Sequence, residues 1–135
     1  MGATHLRSKS EEINQSAISI HNFFSDLRNL KNILPEDKVE NFEASKENCS
    51  FYLVGISNLK LILEETSNEE KIIYQSIENS YQIKLSLFIR SLENSKSEYH
   101  LELDAEFPKI IKMMAEKPLQ SVINKMADKI KQIHF

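Results

Sequence analysis

Glycine is scarce in this chain: Gly2 and Gly55 are the two among 135 residues. A phosphate-cradling loop needs several glycines close together so that backbone N–H groups can approach the anion, and nucleotide hydrolysis by such a loop is excluded. Cysteine is scarcer still. Cys49 has no companion, so an internal disulfide is impossible and a reducing cytoplasm is the expected location. No apolar run approaches the roughly 20 residues that cross a bilayer, and residues 1–20 contain no apolar run of about seven that would serve a secretion signal. Leu6 stands where a myristoylation site carries Ser or Thr. The expectation is a soluble protein with no stable membrane insertion. Seventeen basic against twenty acidic residues leave a net charge of −3, so no nucleic-acid partner is expected, since a surface that binds nucleic acid carries the excess of basic residues that neutralises phosphates.

What the chain does have is apolar residues, 41% of the total, in patterns that change period along its length. Its size and composition predict a single domain over residues 1–135. "THLRSKS" predicts a short first strand with His5, Arg7 and Lys9 on one side and Leu6 and Ser8 on the other. Asn14 or Ser16 can cap a helix in which Ile18, Ile20, Phe23, Phe24, Leu27, Leu30 and Leu34 recur every three or four residues, with a break near Asp26 to Asn29 and an end before Pro35.

After Pro35 the period becomes two. In "YQIKLSLFIRSL", Ile83, Leu85, Leu87 and Ile89 share one face. In "SEYHLELDAEF", Tyr99, Leu101, Leu103, Ala105 and Phe107 oppose Glu98, His100, Glu102, Asp104 and Glu106. Weaker alternation marks residues 39–44, 49–55, 59–65 and 71–77, separated by polar breaks such as "SKEN", "ETSNEE" and "ENS". Strands apolar on one face only make an antiparallel meander that needs cover on one side, and the helical regions at the two ends are the candidates.

Pro108 is suited to begin the last helix. Ile110, Ile111 and Met114 cluster on one face before Pro118, whereas Leu119, Val122, Ile123, Met126, Ile130 and Ile133 follow it. At about 100° per residue the second stripe lies roughly 120° round the axis from the first. Pro118 cannot donate to the carbonyl of Met114, so a kink, or a break into two helices, is expected there. The two pieces would form a lid over an apolar cavity.

Three stretches carry a resemblance: "IHNFFSDLRNLKNILPEDKVENFE", "CSFYLVGISNLKLIL" with its F-x-x-x-G pattern, and "FPKIIKMMAEKPLQSVINKMADKI". With the order strand, helix, six strands, long helix, they resemble the START-like (SRPBCC, birch-pollen-allergen-like) superfamily. The likeness is to small bacterial members near the carbon monoxide dehydrogenase-subunit and coenzyme Q binding branches. The resemblance implies an α+β helix-grip fold, in which a curved antiparallel sheet of about seven strands wraps a long C-terminal helix kinked or split near Pro118. It implies a cavity between sheet and helix for a lipid, sterol, quinone or polyketide-like molecule. The residues expected to line it are Phe24, Leu27, Leu53, Tyr74, Leu85, Leu87, Tyr99, Leu101, Leu103, Ile110, Met113 and Met114, with the two methionines adapting to ligands at the cavity mouth.

Catalytic chemistry finds little to build on. His5, His21, His100 and His134 lack the paired spacing of metal ligands. His100, Glu102 and Asp104 share a strand face and could share a cation or a proton, but Glu98 and Glu106 on the same face favour a solvated surface. Cys49 reads as a packed small hydrophobe, and the acidic pairs at 11–12, 64–65 and 69–70 fall at element ends, where charge is solvated. No catalytic residue, cofactor or metal is expected. The leading expectation is noncatalytic binding or transport of a small hydrophobic ligand. The alternatives are a cyclase-like or hydrolase-like enzyme using the same cavity, and a protein-interaction module with a filled core.

Overall fold

Strands that are apolar on one face must stack that face against something, and here the long strands turn it the same way. The computed structural model describes residues 2–64, 70–78 and 81–135. Its elements run β1 (Gly2–Arg7), β2 (Glu11–Ile13), α1 (Ala17–Phe24), 3-10 turns at Leu27–Asn32 and Glu36–Lys38, then β3 (Val39–Ala44), β4 (Asn48–Leu53), β5 (Ser57–Leu63), β6 (Lys71–Ser76), β7 (Gln82–Glu93), β8 (Lys96–Phe107) and α2 (Lys109–Ile130). Every strand pair is antiparallel, in the order β1-β8-β7-β6-β5-β4-β3, with β2 also on β8. The fold is the expected helix-grip arrangement, with eight strands among the described residues where about seven were expected. The polar breaks at 65–69 and 79–80, and Glu65 at the end of one predicted strand, lie outside the described residues.

The extra strand comes from a break in the edge. The predicted first strand over 4–10 stops at Arg7, where Ser8 donates its N–H to the Leu101 carbonyl at 2.9 Å and its hydroxyl oxygen accepts from the Leu101 N–H at 2.9 Å. One side-chain oxygen thus replaces a ladder partner. The chain then returns to the same strand as β2, with Glu11 opposite Tyr99.

The first helical region divides where expected. Ser16 caps α1 by accepting from the Ser19 N–H at 3.2 Å. Asp26 accepts from the Arg28 N–H at 3.0 Å and opens the 3-10 turn that carries Leu27 and Leu30 into the core.

Of the two outcomes expected at Pro118, a break into two helices does not occur. α2 is one continuous helix of 22 residues with Pro118 inside it, so there is no lid of two pieces. Ile111 is half-buried and Ala115 fully buried, and together they extend the stripe of Leu119, Val122, Met126 and Ile130 back through the proline without rotation. Ile110, Met113 and Met114 face outward instead, 72%, 78% and 69% exposed. The Met114 carbonyl, deprived of an N–H by Pro118, therefore lies on the solvent side, where water can satisfy it.

Candidate ligand-binding site

The inner wall of the sheet is built by register. Tyr74, Leu85, Leu103 and Leu6 lie in one row across β6, β7, β8 and β1. Ile72, Leu87 and Leu101 form the next row, and Ile89 pairs with Tyr99 beyond it. Leu53 joins from β4, Phe24 from α1 and Leu27 from the following turn; these residues and the buried stripe of α2 make one hydrophobic cluster. Nine of the twelve residues expected around a cavity are thus brought together: Phe24, Leu27, Leu53, Tyr74, Leu85, Leu87, Tyr99, Leu101 and Leu103. Ile110, Met113 and Met114 are not among them. The surface of α2 facing the wall is supplied by Leu119, Val122, Ile123 and Met126. Counting Ala115 as a member of that apolar stripe would have carried it back through Pro118 in place of Ile110 and Met114.

The two tyrosine hydroxyls of this interior are committed to backbone. Tyr99 Oη donates to the Ala127 carbonyl at 2.6 Å and so ties β8 to α2. Tyr74 Oη donates to the Phe24 carbonyl at 2.7 Å and ties β6 to α1. Burial pushes both phenols above their ordinary range, so each remains a neutral donor. Burial also pushes the Cys49 thiol up to about 12, which removes thiolate chemistry. Thr4 Oγ1, on the inward side of β1, is buried without a hydrogen-bond partner. The buried polar side chains are Thr4, Ser8, Ser86 and Ser97, and no carboxylate, imidazole or amine is among the fully buried described residues. The wall is packed against α2, its polar complement is hydroxyl groups, and it holds no fully buried acid–base pair among the described residues.

The end of the interior near the α2 C-terminus is closed by charge. Lys131 Nζ donates to Glu11 at 3.0 Å and holds that carboxyl below the usual carboxylate range. Lys129 Nζ donates to the Leu34 carbonyl at 3.2 Å.

The outer face carries the ionisable residues. His100, Glu102 and Asp104 share it as the alternation required, and the β1–β8 register adds His5, which sequence reasoning placed alone on the surface. His5 Nδ1 lies 2.5 Å from Asp104 and Nε2 lies 3.3 Å from Glu102, whose other oxygen is 2.7 Å from His100 Nε2. The hydrogen bond to Asp104, with its charge, raises the His5 pKa above the ordinary value. Phe88 stacks on His100 with centroids 4.9 Å apart, and Lys71 sits over the Phe88 ring. Among the described residues, no group of three or more such side chains is arranged to hold a metal. The His5 contact follows from strand register, for which the sequence carries no local signal.

Comparison with solved structures places this geometry. A norcoclaurine synthase from Thalictrum flavum, a point mutant bound to a transition-state analogue, matches with a TM-score of 0.72 at 15% identity, covering 97% of this chain and 93% of that one. The fold is START-like. A START superfamily protein from Mycobacterium smegmatis gives 0.67 at 14% identity over 98% and 100% of the two chains. A Streptomyces aromatase/cyclase gives 0.68 at 12% identity over 97% and 90%. No protein-family model and no curated protein sequence matches the chain. The narrower likeness to the carbon monoxide dehydrogenase-subunit and coenzyme Q binding branches rests on the quoted stretches alone.

Proposed function

We propose that this START-like chain binds a small hydrophobic molecule between the inner sheet face and α2 and carries out no reaction on it. The observation behind this reading is the composition of the enclosed wall: leucines and isoleucines in register across four strands, with tyrosine hydroxyls as the polar complement and no fully buried charged group among the described residues. Apolar burial at about 25 cal/mol per Å2 supplies the affinity. No fully buried group in the wall would serve as a base toward a substrate. A norcoclaurine synthase of the same fold is known in complex with dopamine and hydroxybenzaldehyde, which supports a compact, partly aromatic ligand such as a quinone or polyketide-like ring system, beside a lipid or sterol.

The route inward is set by the ties that close the interior. A ligand must part the sheet from α2 or from α1, and the Tyr99–Ala127 and Tyr74–Phe24 hydrogen bonds are the contacts to break. Either phenol, once released, can donate to a ligand oxygen. The molecule would act in the cytoplasm as a carrier or sensor of its ligand.

Native mass spectrometry of protein purified from its own host is the direct test, followed by melting curves with a quinone, a sterol, a fatty acid and an aromatic polyketide. A copurifying apolar molecule is expected. A ligand present at a hundred times its Kd stabilises the fold by about 2.7 kcal/mol and raises Tm by several degrees. Apo protein from the host, with no Tm rise for any of the four, would sink the reading. Turnover of one of them would favour the cyclase-like alternative.

A further inference from the structure

The outward side of the first turns of α2 is apolar without being packed. Ile110, Met113 and Met114 are the most exposed large hydrophobic residues described, and with Lys117 they fall at spacings of three, four and seven on one helical stripe. The other exposed large hydrophobics, Ile18, Val54, Leu92 and Phe135, lie elsewhere in the sequence and singly. The charge around the stripe is of one dominant sign. Residues 109–117 contain Lys109, Lys112 and Lys117 against Glu116, in a chain whose net charge is −3. The helix start adds to it: the first turn holds no acidic residue, and Pro108 at the cap makes no side-chain cap bond, so the positive end of the helix is left open. Beside it lies a hollow lined by Gly2, Lys109, Lys112, Met113 and Glu116.

We propose that this end of α2 docks on an anionic lipid surface, with Ile110, Met113 and Met114 entering the headgroup region and the lysines facing its phosphates. Short apolar side chains flanked by lysine at the uncapped start of a helix match a negatively charged interface about 5–10 Å deep. A second copy of the chain is the poorer occupant, because pairing this face with itself would set lysines against lysines. The attachment is peripheral, since the opposite side of α2 is buried against the sheet and no described helix is long and apolar enough to cross a membrane. The assignment stands independently of any ligand in the interior.

The test is cosedimentation of the full chain with unilamellar vesicles of phosphatidylcholine alone and of phosphatidylcholine mixed with phosphatidylglycerol, at low and at physiological salt. Binding to the anionic vesicles only, weakening as salt rises, is the expected result. The triple variant I110D/M113D/M114D should lose binding while keeping its circular dichroism and Tm, because the replaced side chains are exposed. K109Q/K117Q should bind about 25-fold more weakly, at about fivefold per lysine. Absence of binding to anionic vesicles at low salt overturns the proposal. So does equal binding by the triple aspartate variant, or a concentration-dependent dimer that the triple variant abolishes while vesicles capture nothing.

Discussion

The two sides of β8 differ more than any two regions of the molecule, although they are interleaved residue by residue. Inward, Tyr99, Leu101, Leu103, Ala105 and Phe107 are buried on the side that packs against α2. Outward, Glu98, His100, Glu102, Asp104 and Glu106 include the partners of the ion pairs. The lesson is a division of labour by period. The inner face is packed against α2 and holds no fully buried charge among the described residues, whereas the outer face carries the titratable groups, which line shallow open hollows. Along α2 one buried stripe runs the length of the helix, and the first half adds an apolar stripe shown to solvent.

The sharpest way to break this comparison is to truncate the inner wall. Leu101→Ala should cost about 2–5 kcal/mol, read as the loss in urea-unfolding free energy. A cost under about 1 kcal/mol would mean that the wall is loosely filled. Pro118→Ala acts in the opposite direction. The residue lies in a continuous helix on its solvent side, and removing it should raise stability by about 1–3 kcal/mol. A loss of stability there would show that α2 needs its proline. Tyr99→Phe removes the tie to the Ala127 carbonyl and should cost about 1 kcal/mol, a fall of a few degrees in Tm. If that tie gates the interior, the same variant should take up ligand faster.

The smallest effect is on the outer face, and it depends on pH. The folded pKa of His5 is raised above 6.5 by Asp104. Its stabilising contribution is therefore complete below about 6.5 and disappears as pH rises through the raised folded value. The difference in Tm between the wild type and His5→Ala should shrink from about pH 5 to about pH 9, and should weaken with salt because the ring is exposed. A difference constant across that range would mean that the pair is not formed in solution. Glu11 has the opposite sign. Its carboxyl is held low by Lys131, so that contribution is present above its ordinary value and is lost on acidification.

How much of this was legible in the sequence follows the same division. Period-two alternation over 83–89 and 99–107 identified both faces of the central ribbon, because most positions there are strongly apolar or strongly polar. Ser16, one of two candidate caps, and Pro35, a helix stop, marked the ends of the first helical region, and its break fell near Asp26 as expected. The last helix misled where apolar residues crowd. In "IIKMMA" almost every position is apolar, and a stripe through Ile111 and Ala115 competes with one through Ile110 and Met114. Side-chain size favours the wrong stripe, whereas the fold uses the one in phase with Leu119 and Met126. The return of the chain as β2 and the meeting of His5 with Asp104 depend on pairing across about 100 residues, and local pattern carries no register over that distance.

Methyl NMR of the leucines, isoleucines and methionines during titration with a neutral quinone, a sterol and a fatty acid tests the central claim most directly. At least one compound should shift the methyls of Leu85, Leu87, Leu101 and Leu103 while those of Ile110, Met113 and Met114 stay in place. Shifts confined to the three outward residues, or none with any of the compounds, would contradict enclosure of a ligand between sheet and helix.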